Sequence, residues 1–255
     1  MTLAQKQHIA RRFARQAELY KEHATVQREI CNRMVNLLLQ CSFTPAQVLE
    51  IGCGVGFLTE GFLENFGVQS FTANDIAAGM EVEMQRIAGK TGQAIQFLPG
   101  DAETIAINGT FDTILSASTV QWFHNLPQFF KKIPPLLQPQ GIFAFSTFGT
   151  FNFQEIDTLT GKSLQYYSTE ELCAMLAADF HILHCESYRN TLYFNTPADA
   201  LRHIKQTGVN NFAFSPWTKS RLQHFSDAYR ALFSTQQGVT LTYNPIIIVV
   251  RKKTK

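Results

Sequence analysis

Three short runs in this chain carry residue types and spacings that could do chemistry. The first is Glu50-Ile-Gly52-Cys53-Gly54-Val-Gly56. Alternate glycines remove the Cβ, permit left-handed backbone and let the main chain approach a ligand closely. The second is Asp75, 19 residues after Gly56. A carboxylate at a strand end accepts hydrogen bonds from ribose hydroxyls, or it caps the helix that follows. The third is Gly100-Asp101-Ala102-Glu103. Asp101 either accepts from an exocyclic amine such as that of adenine or serves as a turn residue. In the dinucleotide fingerprint the third glycine falls three residues after the second. Here it comes one residue early, and Phe57 stands where that pattern has Gly. A nicotinamide oxidoreductase is therefore disfavoured, and a nucleoside-bearing ligand of another kind is expected.

These runs need elements to hold them. Gln47–Ile51 is a short apolar run stopped by glycine, which suits a buried strand. Thr59–Phe66 reads as a helix, Ser70–Ile76 as a strand, Ala77–Ala88 as a helix, Ile95–Leu98 and Phe111–Ser116 as strands. Gln128–Leu137 has helical composition, which Pro134 and Pro135 must cut or kink. Gly141–Phe148 is a fifth strand. This alternation predicts a parallel sheet with helices on both faces. Upstream, residues 3–39 carry helical spacing in Ile9, Phe13, Ala17 and Tyr20, then in Val26, Ile30, Met34 and Leu38, with a break near 21–25. Downstream the rhythm changes. Residues 149–165 read as a loop. Ser168-Thr-Glu-Glu171 is a capping box that starts a helix to about 177. Phe180–Ser187 and Tyr188–Phe194 read as strands. Thr196-Pro197-Ala-Asp199 starts another helix that Gly208 stops. Residues 213–216 read as a loop, Lys219–Phe233 as a helix, and Leu241–Arg251 as one final strand.

Composition narrows the class. Of 255 residues, 45% are hydrophobic, 16% charged and 12% aromatic, with 22 Phe, which is far from a disordered chain. A net charge of +2 gives no global attraction to nucleic acid. The longest apolar run, Ile246–Val250, has five residues, too few to span a bilayer. The N-terminal stretch lacks an apolar core of the kind a secretory signal has. Five scattered Cys form no C-x-x-C pair, so neither a zinc ribbon nor a disulfide scaffold is expected. His124, His181 and His184 have no third ligand at metal-site spacing, and no metal is expected. The expectation is a soluble cytoplasmic protein; oligomeric state is not legible.

Together the three runs resemble the class I S-adenosylmethionine-dependent methyltransferases over about residues 47–147. That resemblance implies a Rossmann-like α/β fold with a seven-stranded, mostly parallel sheet whose last strand runs antiparallel. It implies S-adenosylmethionine as cofactor, with Glu50, Gly52, Cys53, Gly54 and Gly56 around its methionine part. Asp75 and Ile76 would lie at the ribose, and Asp101 and Ala102 at the adenine. Met80 would pack on the adenine face, Ser116 would lie beneath the cofactor, and Gln121 would line its edge.

Further runs extend the resemblance over nearly the whole chain. They are Phe13-Ala-Arg-Gln-Ala-Glu-Leu-Tyr20 with His23-Ala-Thr-Val-Gln27, Ser116-Ala-Ser-Thr-Val-Gln121-Trp122, Phe143-Ala-Phe-Ser-Thr147-Phe, Leu201-Arg-His-Ile-Lys205-Gln-Thr-Gly208 and Leu241-Thr-Tyr243. In this order they resemble the malonyl-[acyl-carrier protein] O-methyltransferases of early biotin synthesis. The implied organisation is a single domain: an N-terminal helical lid at 1–46, a cofactor core at 47–147 and a helical substrate cap at 195–235. The implied partner is an acyl-carrier protein bearing a malonyl thioester, whose free carboxylate becomes a methyl ester. A carboxylate with a pKa of about 4 is ionised at neutral pH and needs no general base, which accords with the absence of any Ser-His-Asp or paired-acid pattern. Its charge does call for a cationic partner. From Ala200 to Ser226 there is no acid, but there are Arg202, Lys205, Lys219 and Arg221. Arg202 is the first candidate for the malonyl carboxylate because a guanidinium grips it bidentately, with Lys205 beside it at i+3. A solvated helical face is the other reading of these cations. On the substrate side, Tyr20 and Gln27 are candidates for an N-terminal lid that closes over the cofactor and Trp122 for walling the methyl-transfer cavity, with core packing as the other reading of the two aromatics. A methyltransferase for a free small acid such as trans-aconitate, or a cofactor-binding module without catalysis, would share most of these features.

Overall fold

The computed structural model describes residues 6, 13, 15–207 and 217–254. Ile9, Gly208 and residues 213–216, singled out above, lie outside them. Two helices, α1 (Ala17–His23) and α2 (Thr25–Gln40), open the described chain and meet at Ala24. The core then alternates: β1 (Gln47–Ile51), α3 (Phe57–Asn65), β2 (Ser70–Asp75), α4 (Glu81–Thr91), β3 (Ile95–Pro99), β4 (Phe111–Ser116), α5 (Leu126–Leu136) and β5 (Leu137–Phe148). There follow α6 (Gln154–Thr160), α7 (Thr169–Leu176), β6 (Phe180–Ser187), β7 (Asn190–Phe194), α8 (Pro197–Gln206), α9 (Lys219–Phe233), β8 (Ser234–Thr235), β9 (Gly238–Tyr243) and β10 (Pro245–Lys252).

The main sheet has seven strands in the order β3-β2-β1-β4-β5-β10-β6. β3, β2, β1, β4 and β5 run parallel, and β10 runs antiparallel to both β5 and β6. The order reverses between β1 and β4, and ligands of such sheets bind outside the carboxyl ends of the strands at that point. The central strands are buried on both faces. Val48, Leu49 and Ile51 of β1 and Ile246 to Val250 of β10 are all at or below 1% exposure, as expected where helices cover both faces. No helix among the described residues is long and apolar enough to cross a membrane.

Three sequence expectations change. The last strand is two strands. β9 joins β7 and β8 in a second, three-stranded sheet, while β10 closes the main one. The break is Asn244, which precedes a proline that has no N–H to donate and so sits at a strand start. Asn244 is held from five directions. Its side chain donates to Ser187 Oγ and the Tyr188 carbonyl and accepts from Phe151 N, its own N donates to Asn152 Oδ1, and its carbonyl accepts from Gly149 N. The unbroken apolar run hid this division. The cap accordingly carries its own small sheet as well as α8 and α9. Second, the expected loop at 149–165 contains α6, too short for periodicity to reveal. Its Glu155 is buried and accepts from Thr240 Oγ1, Thr242 N and Thr242 Oγ1, tying α6 to β9. Third, Pro134 and Pro135 do not cut α5 early but lie in its last turn. The Lys252 ammonium donates to the Pro134 and Leu137 carbonyls at 2.6 and 2.5 Å, satisfying acceptors at that helix end.

Glu155→Ala should leave the Thr240 and Thr242 donors unpaired in the interior. The expected loss is about 3 kcal/mol of unfolding free energy, read from the urea midpoint; an unmoved midpoint would show that α6 is not fastened through this carboxylate.

Candidate active site

The carboxyl ends of β1, β2 and β4 open into a cleft of about 1190 Å³, its mouth included. The glycine turn forms its floor. Gly52 donates its N–H to the Asn74 carbonyl at 2.8 Å and has φ +73°. A Cβ there would stand 2.3 Å from the Thr119 side chain, so glycine lets the turn after β1 press against the loop after β4. Gly56, also left-handed at φ +84°, opens α3, and a Cβ on it would strike Ile87 at 2.1 Å. Gly54 donates to Asp75 Oδ2 at 2.9 Å, and Asp75 Oδ1 accepts from Ala77 N at 2.8 Å. Asp75 therefore holds the turn that leads towards α4 and also lines the cleft. Burial pushes its pKa up against the pull of these N–H groups.

Glu50 is 1% exposed, lines the cleft and accepts from Thr59 Oγ1 at 2.6 Å. Burial, opposed by that hydrogen bond and reinforced by the charge of Asp75, pushes its pKa up to about 8. A neighbouring cation would act in the opposite sense and favour the ionised carboxylate.

On the far wall, Asp101 Oδ1 accepts from Glu103 N at 3.0 Å, and Asp101 Oδ2 meets the Lys6 ammonium at 2.7 Å. Glu103 also pairs with Lys6 and accepts from His124 N and Asn125 N. Asn74 donates to the Leu98 and Gly100 carbonyls, fixing the turn that carries Asp101. Sequence reasoning missed Lys6 and Asn74 as parts of the site, because isolated polar residues carry no spacing signal. Ser118, in the loop after β4, has φ +50°, its N donates to Ser146 Oγ, and its hydroxyl lacks a hydrogen-bond partner. Strained non-glycine backbone of this kind concentrates at ligand sites.

The cleft brings together Glu50, Gly52, Cys53, Gly54, Asp75, Ile76, Asp101, Ala102, Gln121, Tyr20, Gln27 and Trp122. It does not bring Gly56, Met80 or Ser116 to its surface. Met80 is buried in the core between α3 and α4, and Ser116 is fully buried, donating to the Ile51 carbonyl and stitching β4 to β1. Arg202 and Lys205 are also outside it. The Arg202 side chain is 63% exposed and pairs with Asp199 at 2.6 Å, and Lys205 is exposed. The inward face of α8 is Ala200, His203 and Ile204, continued by Thr207, which lines the cleft. That i, i+3, i+4, i+7 spacing was legible and places Arg202 on the opposite face. No group of three or more His, Cys, Asp or Glu that could hold a metal occurs among the described residues.

The residues suit a nucleoside-bearing ligand. Among the described lining residues, three buried polar atoms have no hydrogen-bond partner: Gln27 Oε1, Ser118 Oγ and Gln121 Oε1. Buried polar groups are rarely left so, and a polar ligand in the cleft would satisfy them. Around them stand apolar and aromatic walls from Phe13, Phe57, Trp122 and Phe148.

Comparison with known proteins follows the same lines. A methyltransferase domain family matches residues 49–145. A malonyl-[acyl-carrier protein] O-methyltransferase of Bacteroides thetaiotaomicron is 39% identical over 96% of this chain and 97% of its own. One of Chlorobium luteolum is 36% identical over 98% and 97%. Among solved structures, a Bacillus halodurans protein shares the fold at TM-score 0.65 and 17% identity, covering 87% of this chain and 99% of that one. The N-methyltransferase NodS of Bradyrhizobium japonicum, solved with S-adenosyl-L-homocysteine, does so at TM-score 0.53 and 13% identity, covering 89% and 87%.

The raised pKa of Glu50 has a signed consequence. The folded state holds its proton up to about pH 8, whereas an unfolded Glu releases it near 4.5. Its contribution to stability is therefore complete below the lower value and is lost as pH rises towards the higher. Glu50→Gln keeps the acceptor for Thr59 without the titration. The variant should gain melting temperature on wild type progressively from about pH 5 to pH 8; a difference independent of pH would rule this out.

Proposed function

Since the chain belongs to the malonyl-[acyl-carrier protein] O-methyltransferase family, we propose that it esterifies the free carboxylate of a malonyl thioester on an acyl-carrier protein, using S-adenosylmethionine. The observation that carries this reading is full-length similarity combined with a glycine-floored cleft whose walls hold unpartnered polar atoms. When bound, S-adenosylmethionine supplies an electrophilic methyl group on a cationic sulfonium. The backbone from Gly52 to Gly54, with Glu50 and Gln121, would hold its methionine part, Asp75 and Ile76 its ribose, and Asp101 and Ala102 its adenine.

The chain's own residues contribute position and exclusion. The attacking carboxylate is already ionised at neutral pH, so no side chain has to remove a proton. What remains is alignment, which can supply most of the rate of such a displacement. Phe13, Tyr20, Phe57, Trp122 and Phe148 wall the cleft with aromatic surface, which keeps water from the reacting atoms. Tyr20 packs edge-on to Phe13 and stacked near Phe57, with centroids at 4.8 and 5.9 Å, so the lid helix α1 is keyed to the start of α3.

The exposed cations of the cap suit the carrier protein better than the carboxylate. Lys205, Lys219 and Arg221 are exposed on α8 and α9, which flank residues 208–216 in sequence. Arg202 continues the strip beyond its pairing with Asp199. Acyl-carrier proteins are acidic, and such a strip steers and orients them. The five free thiols accord with a reducing cytoplasm as the site of reaction.

The test is incubation with S-adenosylmethionine and malonyl-acyl-carrier protein, followed by mass spectrometry of the carrier. A carrier heavier by one CH2 unit is expected. A carrier of unchanged mass, with cofactor binding intact, overturns the assignment. For the docking strip, Lys219→Glu with Arg221→Glu should raise KM for the carrier-bound substrate about tenfold at low salt, and the gap to wild type should narrow as salt rises. Equal KM for both proteins would remove these residues from docking.

A further inference from the structure

Two thiols outside the cleft have no part in the methyl-transfer reading. Cys173 stands in the middle of α7, and Cys185 in the second half of β6. Their sulfurs lie 3.5 Å apart, the Cys173 thiol donating to Cys185 Sγ. Both are free thiols, Cys185 exposed and Cys173 half-buried. They are 12 residues apart in sequence and on different elements, so the contact is made by α7 packing on β6.

The elements that carry the two thiols are fixed. α7 begins at the capping box of Ser168 and Glu171, and its Leu172 and Leu176 are buried. Just past its end the Ala177 carbonyl accepts from the Lys253 ammonium at 2.6 Å, and the Asp179 carbonyl accepts from Lys253 N at 2.9 Å. Cys173 packs against the apolar cluster that contains Leu172, Phe180 and Ile248, and Cys185 stands opposite Ile248 in the register of β6 on β10. A disulfide holds its sulfurs about 2 Å apart. The remaining gap of about 1.5 Å is of the size that turning two side chains covers. β6 is also the strand with most to gain from a cross-link. It is an edge of the main sheet, paired with β10 alone, and a register shift between Val249 and Val250 interrupts that single ladder. Edge strands lack a second ladder and open more readily than central ones. Ile182 and Leu183, at the shift, are 39% and 40% exposed.

We propose that Cys173 and Cys185 form a thiol–disulfide exchange site, which takes a small disulfide such as glutathione disulfide as oxidant and closes into a clasp between α7 and the edge strand β6. The step balances in two exchanges. One cysteine thiolate attacks a sulfur of glutathione disulfide, forms a mixed disulfide and releases one glutathione thiolate. The neighbouring cysteine gives its proton to solvent and attacks the protein sulfur of that mixed disulfide, and the second glutathione leaves. The two cysteines together lose two electrons and two protons, and glutathione disulfide takes up both. A partner thiol held 3.5 Å away acts at high effective concentration, so the internal bond wins over a lasting mixed disulfide. Burial, then the contact with Cys173 and the charges of Glu170 and Glu186, push the Cys185 thiol up to about 12. Scarce thiolate slows the exchange, while its end point is set by the stability of the bond formed. In a reducing compartment the pair stays open, and it closes as small disulfides accumulate. The clasp lies outside the cleft and does not depend on the methyl-transfer reading.

The test uses the whole folded protein. It is incubated with glutathione disulfide, denatured, treated with N-ethylmaleimide, digested and mapped by mass spectrometry. Cys173 and Cys185 should carry no maleimide and should appear in peptides joined to each other. Both thiols alkylated, a glutathione left on either, or either joined to another cysteine overturns the proposal. The oxidised protein should melt about 5 °C above the reduced one, and dithiothreitol should restore the lower value. Cys173→Ser and Cys185→Ser, each of which removes one sulfur, should show no such difference between oxidised and reduced samples. A joined pair with an unchanged melting temperature overturns the clasp, and so does an equal rise in either Ser variant. The peptide map of the wild type decides the bond even where a variant folds poorly.

Discussion

The site depends on how closely the backbone after β1 approaches the loop after β4. Gly52 leaves no space for a Cβ beside Thr119, and Thr119 Oγ1 in turn donates to the Gly52 and Ala117 carbonyls. This contact brings two strands that are distant in sequence to a common rim at the point where the sheet changes direction. Asp75 reaches the glycine turn from β2 through the Gly54 N–H, and Asn74 reaches the β3 turn through the Leu98 and Gly100 carbonyls. Four strand ends are thereby linked by short hydrogen bonds within the protein itself. A cleft assembled this way is pre-organised, and pre-organisation reduces the ordering cost of binding.

The electrostatic design follows from burial. Glu50 and Asp75 share one end of the cleft, and desolvation raises the pKa of both. Backbone N–H groups oppose that rise at Asp75, and the Thr59 hydroxyl opposes it at Glu50. At the opposite wall Lys6 balances Asp101 and Glu103, joining the start of the chain to residues almost a hundred positions later.

Much of the architecture was legible in the sequence, and the limits have physical causes. The five parallel strands show as short apolar runs bounded by glycine. α7 shows through its capping box, which forms as expected between Ser168 and Glu171. α8 shows through Thr196 and Pro197. β9 and β10 were merged because hydrophobicity is continuous across Asn244, and strand pairing is a tertiary choice that local pattern does not encode. α6 escaped notice because seven residues make less than two turns of periodicity. In the site, glycines and acids at strand ends were legible because their chemistry restricts what else can stand there. Lys6, Asn74 and Thr207 were not, because a lone polar side chain says nothing about the partner to which folding brings it. Arg202 was singled out by charge, and helical phase places it on the exposed face of α8.

Asn244 has a wider meaning. It stands between the strand that completes the cofactor sheet and the strand that belongs to the cap, and it is anchored on both sides by side-chain and backbone bonds. The polypeptide therefore leaves the core after β6, builds the whole cap and returns through one fixed gate. The segment between Ser187 and Asn244 thus departs and returns at one anchored point, next to the register of β10 against β5. A fold with such a gate can exchange its recognition module while keeping its cofactor machinery, so selectivity and chemistry can diverge at separate rates.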